Sequence, residues 1–200
     1  MRRYQAVLLA VTALVVASIA AYLLYGTGGR QGGQGTALVG GPFTLVDQDG
    51  KPRTEKDFRG QFMLIYFGYT YCPDVCPTSL QTMTQAMDRL DSALQAKITP
   101  VFVTIDPARD TAPQLKAYVE NFHPRMIALT GSEKQIADAA RVYRIYYAKA
   151  EGNDTTTDYL MDHSSIVFLM GPDGGYVTHF THTTPPDKMA ETLQRIVGGG

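Results

Sequence analysis

The stretch Gly68-Tyr-Thr-Tyr-Cys-Pro-Asp-Val-Cys-Pro-Thr-Ser-Leu80 decides how the rest of the chain is arranged. It contains the only two cysteines of the sequence, Cys72 and Cys76, which stand four positions apart. The apolar run 62–67 leads into the stretch and predicts a buried strand, and an amphipathic pattern leads out of it. The stretch therefore predicts a strand that feeds a helix, with two thiols at the junction.

The helix after the thiols is indicated by apolar residues at spacings of three and four, namely Leu80, Met83, Met87, Leu90 and Leu94. Pro77 suits the first helical position, because the N–H that it lacks would have no partner there. We therefore expect Cys76 to be the last residue before the helix. Met83 and Met87 lie on the apolar stripe, so we expect them to pack in the core rather than to bind a metal.

Strands and helices alternate along the rest of the chain. Apolar runs predict strands within 41–46, 98–105, 126–129, 165–170 and 176–180, and capping signals predict helices at 113–122, 136–143 and 186–197. Segment 143–148 suits either a strand or a helix tail, and the polar segment 151–158 predicts an exposed loop. This alternation predicts an α/β fold with a central mixed sheet. Because functional groups in such sheets gather beyond strand ends, we expect Cys72, Asp106 and His163 to share one edge.

The first 25 residues predict a membrane anchor. Residues 4–25 contain no charged side chain, and about twenty such residues can cross a bilayer core. The preceding arginines favour a cytoplasmic N-terminus. A signal peptide cleaved near 18–20 is the alternative, but the apolar run continues to Leu24 and favours an uncleaved anchor. The Gly/Gln-rich segment 26–38 predicts a flexible linker, and 39–200 forms the folded domain.

These features predict a protein of the bacterial inner membrane that crosses it once, with the soluble domain in the periplasm. A mitochondrial presequence would be longer and rich in Arg and Ser. The net charge of −1, without a basic cluster, argues against nucleic acid as a partner. Outside the cytoplasm thiols can be oxidised, but a disulfide closing so short a loop adds little stability. The cysteines therefore indicate chemistry rather than scaffolding.

Two cysteines four residues apart at a helix start can form a disulfide or bind one metal ion. The positive end of the helix lowers thiol pKa values, and thiolates serve both purposes. The Cys-x-x-x-Cys spacing is wider than the Cys-x-x-Cys of ordinary dithiol oxidoreductases. Thiolates select copper(I), zinc or iron–sulfur chemistry, and two alone are too few for zinc or a cluster. With a neutral imidazole, the site would be neutral with copper(II) and singly negative with copper(I).

Four histidines compete to be a third ligand. His163 directly precedes the predicted strand 165–170, which favours it on position. His179 and His182 lie near the end of a predicted hairpin, and His123 lies in a loop before a proline. A lone histidine is more often structural than a ligand, so the residues by themselves leave this choice open.

Three motifs, in order, resemble the Sco/SenC family: Gly-Tyr-Thr-Tyr-Cys72-Pro-Asp-Val-Cys76-Pro, Thr-Ile-Asp106-Pro-Ala-Arg-Asp110-Thr and Met-Asp162-His163-Ser. Members of this family are membrane-anchored, thioredoxin-like copper proteins that help to assemble the CuA centre of cytochrome c oxidase. The similarity runs from about Phe43 to Val197. The resemblance implies a thioredoxin-like fold and one copper ion per domain, as Cu(I) or Cu(II), bound by Cys72, Cys76 and His163.

The resemblance also implies outer roles near the metal. It links Asp106 to the surroundings of the metal or to its transfer, with an ordinary Asp-Pro turn as an equal alternative. Arg109 and Asp110 are expected to serve the turn, and either Asp110 or Thr111 is expected to cap the helix that follows. Met161, two residues before His163, is a further soft donor to test. The tyrosines around the thiols could shield the site, present a docking face or pack the strand: Tyr66, Tyr69 and Tyr71.

The function implied by the resemblance is a copper chaperone, not an enzyme, which delivers copper to the apo CuA subunit of the oxidase. Further expected partners are another periplasmic copper chaperone, a thiol reductase and, through the anchor, membrane lipid. One alternative is a thiol–disulfide reductase that uses a redox-active Cys72–Cys76 pair to keep the oxidase cysteines reduced. Ser164, where ordinary thioredoxins carry a cis-proline, argues against a general disulfide exchanger. A thiol peroxidase is the other alternative.

Overall fold

The central sheet is built around two seven-residue strands. The structure, a computed structural model, describes residues 4–5, 13–15, 39–150 and 159–199. The strands of 39–199 are β1 (Thr44–Asp47), β2 (Pro52–Thr54), β3 (Phe62–Gly68), β4 (Ile98–Thr104), β5 (Ile127–Thr130), β6 (Tyr147–Lys149), β7 (Met161–His163), β8 (Ile166–Met170) and β9 (Tyr176–Thr181). The α-helices of this segment are α1 (Val75–Asp88), α2 (Ser92–Ala96), α3 (Ala112–Val119), α4 (Glu133–Val142) and α5 (Pro186–Gly198).

Within the described residues, the main sheet has the strand order β2-β1-β5-β4-β3-β8-β9. β4 runs parallel to β3 and β5, and the other neighbours are antiparallel, so the predicted mixed sheet is confirmed. Residues 63–67 of β3 are buried along their whole length, which requires cover on both faces of the sheet. Helix α1 packs against α5, while α3 and α4 contact β5 and β1. Met83 and Met87 are fully buried in this core, as predicted.

The register of the strands brings three chain segments to one edge of the sheet. Parallel pairing places Gly68 at the end of β3 opposite Thr104 at the end of β4. β8 is antiparallel to β3, with Val167 opposite Tyr66, so β8 starts at the same edge. The segments that follow β3, follow β4 and precede β8 therefore converge. This confirms the expected meeting of Cys72, Asp106 and His163 at one rim.

Helix α1 begins earlier than predicted. Asp74 is its N-cap and Val75 its first residue, so Cys76 lies inside the first turn and Pro77 follows it there. The prediction was wrong because the first backbone N–H groups of a helix all lack an intrahelical acceptor. A proline is therefore tolerated deeper in that turn than its first position. The consequence is that the second thiol is fixed by helical geometry.

The segment before β8 forms a small sheet, of which β6 overlaps the strand option given for 143–148 and β7 was not predicted. β6 and β7 pair antiparallel, with Tyr147 opposite His163 and Lys149 opposite Met161. Before β6 the chain passes through Arg144, whose φ of 58° ends the preceding helix. His163 thus lies on a strand of its own. Three residues are too few to display an alternating pattern, so the sequence does not indicate this strand.

Several predictions concern residues outside the described part of the chain. These are most of the anchor 1–25, the linker 26–38 and the loop 151–158. In the part that the structure describes, no helix combines the length and the apolar character needed to span a bilayer. The anchor and the linker therefore stay predictions.

Candidate metal centre

The two thiols lie at the junction of β3 and α1. Both cysteines are free, with Cys76 fully buried and Cys72 nearly so. The backbone N–H of Cys76 donates to the Cys72 sulfur at 3.4 Å. This contact aims the start of the helix at Cys72 Sγ, and the partial positive charge there stabilises a thiolate.

Gly68 makes room for the second sulfur. A Cβ at this position would lie 2.8 Å from Cys76 Sγ and 2.9 Å from Cε1 of Tyr66. No side chain fits in that space without displacing a neighbour. The glycine at the end of β3 is therefore required by the close approach of the thiol rather than by its backbone angles.

His163 approaches the thiols from the opposite side. Its Nε2 lies 3.3 Å from Cys76 Sγ, and its Nδ1 lies 3.3 Å from the carbonyl oxygen of Ser164. To act as a metal ligand the imidazole needs its proton on Nδ1, where it would donate to that carbonyl and leave the Nε2 lone pair facing the sulfurs. Without metal, a proton on Nε2 would instead donate to a thiolate. The imidazole stands edge-on to the rings of Tyr66 and Tyr69, at centroid distances of 6.1 and 5.9 Å.

These three side chains form a group that fits one soft metal ion. The sulfurs of Cys72 and Cys76 and a ring nitrogen of His163 all lie within 4.8 Å of one another. Two thiolates and an imidazole suit copper or zinc. Among the described residues, no carboxylate and no further cysteine belongs to this group as a fourth ligand. A three-ligand sulfur-rich set favours copper over zinc, which prefers four.

The two thiols differ in their readiness to ionise. Hydrogen bonds from the Cys76 thiol, His163 and backbone N–H groups lower the pKa of Cys72 to about 4, against the opposing effect of burial. The pKa of Cys76 is raised, first by its hydrogen bond to Cys72 and then by burial. Without metal the pair therefore carries one negative charge, on Cys72. Binding a metal to both sulfurs releases the remaining proton from Cys76.

The three tyrosines near the thiols have different surroundings. Tyr66 is fully buried, and its hydroxyl donates to Cys76 Sγ at 3.7 Å. Tyr69 is also buried, and its hydroxyl accepts a hydrogen bond at 3.1 Å from the backbone N–H of Met161. Tyr71 is 50% exposed beside the thiols. The first two shield the site, and Tyr69 connects the thiol loop to β7.

Asp106 and Met161 lie close to this centre but are not members of the ligand group among the described residues. Asp106 is 4% exposed. Its carboxylate accepts a hydrogen bond from the Tyr159 hydroxyl at 2.7 Å and forms an ion pair with Arg109. Met161 is half-buried and packs against the core. Asp106 is therefore bonded to Tyr159 and Arg109, and its link to the metal stays a prediction.

Of the two residues predicted to cap the helix, Thr111 is the cap and Asp110 is not. The N-cap of α3 is Thr111, and the Asp110 side chain points elsewhere. Its buried carboxylate accepts hydrogen bonds from the backbone N–H and hydroxyl of Thr70, at 3.0 and 2.6 Å, and from the Thr104 hydroxyl at 2.6 Å. The sequence could not decide between the two residues, because a local motif cannot reveal that Asp110 has a partner forty residues away. Asp110 ties the thiol loop to the end of β4.

The other histidines do not join the thiols in the described part of the chain. His123 is buried, and its Nδ1 accepts from the backbone N–H of Arg125 at 3.2 Å. His179 lies 2.6 Å from the hydroxyl of Tyr176, and His182 is exposed. Its position before β8 favoured His163 among the four histidines, but the choice was made by the family resemblance.

Comparisons with known proteins place this chain among its relatives. The family model SCO1/SenC matches residues 31–198. The human protein SCO1 homolog, mitochondrial, is 41% identical over 165 residues, covering 82% of this chain and 54% of that protein. The structure of Arabidopsis thaliana ScoI with copper bound has 38% identity and a TM-score of 0.73, over 81% of this chain and 99% of that one.

A third neighbour is BsSco, described as a member of the Sco family of cytochrome c oxidase assembly proteins in which a disulfide switch was identified. It is 27% identical, with a TM-score of 0.64, over 80% of this chain and 94% of that one. The chain spans about half the length of the Arabidopsis and human SCO1 homologues, at 48% and 54%.

Proposed function

The chain belongs to the SCO1/SenC family, and we propose from this premise that it binds one copper ion and delivers it to the CuA site of cytochrome c oxidase. The observation that carries the proposal is the convergence of Cys72 Sγ, Cys76 Sγ and a ring nitrogen of His163 within 4.8 Å. Its thioredoxin-like α/β fold is shared with Sco structures that contain copper. The protein is in this proposal a metallochaperone and not an enzyme.

Copper supplies the cargo, and the chain supplies a site that can both hold and release it. The Cys72 thiolate is ready to accept a cation, and Cys76 loses its proton on binding. The burial of both sulfurs keeps water and competing thiols away. A separate strand, β7, supplies the imidazole, so two segments of the chain share the ligands.

The proposed setting is the bacterial inner membrane, with residues 1–25 as anchor and the domain in the periplasm. The proposed acceptor is the apo CuA subunit. A further periplasmic copper chaperone or a thiol reductase would prepare the site, since copper must arrive and the thiols must be reduced first. These proposals rest on the charge-free segment 4–25 and on family membership.

The test is a copper titration of the reduced full-length protein without oxygen, in both oxidation states. We compare wild type with Cys72→Ser, Cys76→Ser and His163→Ala, and with His182→Ala as a control at an exposed histidine. Wild type and the control should bind one ion, each cysteine variant should lose tight binding, and His163→Ala should lose stable copper(II) binding. Unchanged copper(II) affinity in His163→Ala contradicts the site, and absence of copper transfer to a purified apo CuA subunit contradicts the delivery role.

A thiol–disulfide reductase is the second candidate, because Cys72 carries a thiolate beside the Cys76 thiol. In this reaction Cys72 attacks a substrate disulfide, and one substrate thiolate leaves. Cys76 then closes the Cys72–Cys76 disulfide, and its proton passes to the departing substrate sulfur.

This disulfide exchange should survive in His163→Ala and fail in Cys72→Ser. Fast consumption of peroxide by the metal-free reduced protein would instead favour a thiol peroxidase.

A further inference from the structure

The strand that carries His163 has little support of its own. Within the described residues, β7 is three residues long and pairs with β6, outside the main sheet. Short two-stranded ribbons are marginally stable in water. The hydrogen bond from Met161 to Tyr69 and the start of β8 three residues after His163 hold one end of this strand, and the segment before it depends on other contacts.

Tyr159, at the start of the described segment before β7, makes such contacts. Its hydroxyl donates to the Asp106 carboxylate at 2.7 Å, and its carbonyl oxygen accepts from Nη1 of Arg109 at 2.9 Å. The guanidinium carbon of Arg109 stands 3.6 Å from the centre of the Tyr159 ring. Arg109 also pairs through Nε with Asp106. We call Asp106, Arg109 and Tyr159 the Arg109 cluster.

The other side of the Arg109 cluster meets the thiol loop. The guanidinium carbon is 4.6 Å from the centre of the Tyr71 ring and 5.8 Å from that of Tyr69, the residues before Cys72. The side chain of Arg109 is 13% exposed and that of Asp106 is 4% exposed, so water screens their interaction weakly. One partly buried cation thus contacts both the loop with the thiols and the segment leading to the imidazole.

We propose that Arg109 is a positioning residue that, with Asp106 and Tyr159, holds the His163 strand against the thiol loop and so completes the copper site. This inference rests on the proposed copper function. It adds that the Arg109 cluster keeps the third ligand, His163, beside the two thiols. A guanidinium is suited to the task because its planar fork can bind a carboxylate and a carbonyl while its face lies on an aromatic ring. A lysine ammonium cannot make all of these contacts at once.

The first test needs no copper. Hydrogen exchange is measured on the metal-free full-length protein for wild type, Arg109→Ala and Arg89→Gln. Arg89 forms an exposed ion pair with Asp187 at the far end of α1, so it controls for loss of a positive charge. Amides 159–163 should exchange faster in Arg109→Ala, while those of β3 and the control stay unchanged. Unchanged exchange at 159–163 in folded Arg109→Ala overturns the proposal, whatever copper does.

The second test asks whether Arg109 acts through His163. Arg109→Ala should lower copper(II) affinity by about 10- to 100-fold, as loss of a group supporting a metal ligand commonly does. Nitrogen coupling in the copper(II) electron paramagnetic resonance spectrum should weaken, and copper(I) affinity should fall less. In a His163→Ala background the same change should add little. Equal losses in both backgrounds overturn the proposal.

Two further variants complete the design. Tyr159→Phe keeps the ring but removes the hydroxyl that donates to Asp106. It should change hydrogen exchange at 159–163 and copper(II) affinity in the same direction as Arg109→Ala, but to a smaller extent. It replaces Arg109→Ala if that variant fails to fold. Arg109→Lys should fall between wild type and Arg109→Ala, and wild-type behaviour in both readouts would overturn the role of the guanidinium. If wild type binds no copper through His163, the proposed function fails, and the exchange test still decides whether the Arg109 cluster holds the strand.

Discussion

Cys72 is the thiol that reacts first. Because the Cys76 thiol, His163 and backbone N–H groups donate to it, its pKa falls to about 4 from the ordinary 9.0. Alkylation of Cys72 in the metal-free reduced protein should therefore titrate near that value, while buried Cys76 reacts far more slowly. Cys76→Ala removes the largest of these donors and should raise the midpoint. Peptide mass spectrometry of alkylation rates across pH measures both.

The opposite result, a midpoint that Cys76→Ala does not move, would mean that the helix end rather than the neighbouring thiol stabilises the Cys72 thiolate.

The lowered pKa of Cys72 also makes the free energy of unfolding depend on pH. The thiolate stabilises the fold fully above the unfolded pKa, and this contribution falls with pH and vanishes below the folded pKa of about 4. Denaturant unfolding of wild type and Cys72→Ser should therefore converge as the pH falls.

Gly68→Ala should damage the centre without changing any ligand. The new Cβ would meet Cys76 Sγ at 2.8 Å and the Tyr66 ring at 2.9 Å, so the sulfur must move. We expect a loss of about 1–3 kcal/mol in the free energy of unfolding, as for other overpacked cores, and weaker copper binding. Gly198→Ala is the matched control, because its nearest contact would be an ordinary 3.6 Å from Leu94. Denaturant titration with wild-type values for both variants would contradict the steric requirement.

At the scale of the elements, Asp110 joins the loop after β3 to the end of β4. Asp110→Ala leaves the N–H and hydroxyl of Thr70 and the hydroxyl of Thr104 without this acceptor. We expect the free energy of unfolding to fall by about 3 kcal/mol, since buried polar groups would lose their partner. Asp138→Ala, at an exposed aspartate with two surface ion pairs, should cost at most about 1 kcal/mol. Similar costs for the two variants, measured by urea unfolding, would refute the bridging role.

The elements also show how far the sequence can predict this molecule. Strands β3 and β4 and the stripe of α1 follow from apolar patterns, and the two thiols follow from their spacing. The histidine needed both its position before β8 and the family resemblance. The partners of Asp106, Asp110 and Arg109 could not be predicted, because hydrogen bonds between segments forty or more residues apart leave no local pattern. Strand β7 was missed for a different reason, its length of three residues.

For the whole molecule, copper should act as a stabilising ligand. A metal that binds the folded chain more tightly than the unfolded one raises the free energy of unfolding, by at most about 4 kcal/mol when its free concentration is about a thousand times Kd, and binding to the two sulfurs of the unfolded chain reduces this gain. Thermal unfolding of the reduced full-length protein should therefore shift upward with copper(I) and return after removal by a chelator. The shift should be absent in a Cys72→Ser Cys76→Ser variant. An equal shift in that variant would place the stabilising copper elsewhere on the chain.

The order of the ligands along the chain has a consequence for biogenesis. Cys72 and Cys76 leave the ribosome almost together, but His163 is 87 positions after Cys76. A growing or unfolded chain therefore offers copper two sulfurs and no imidazole. The full set exists only once β7 has closed onto the thiol loop, which is a late, long-range event. Copper loading is thus a step that follows folding, and copper that is present during synthesis would find an incomplete site with two sulfur ligands.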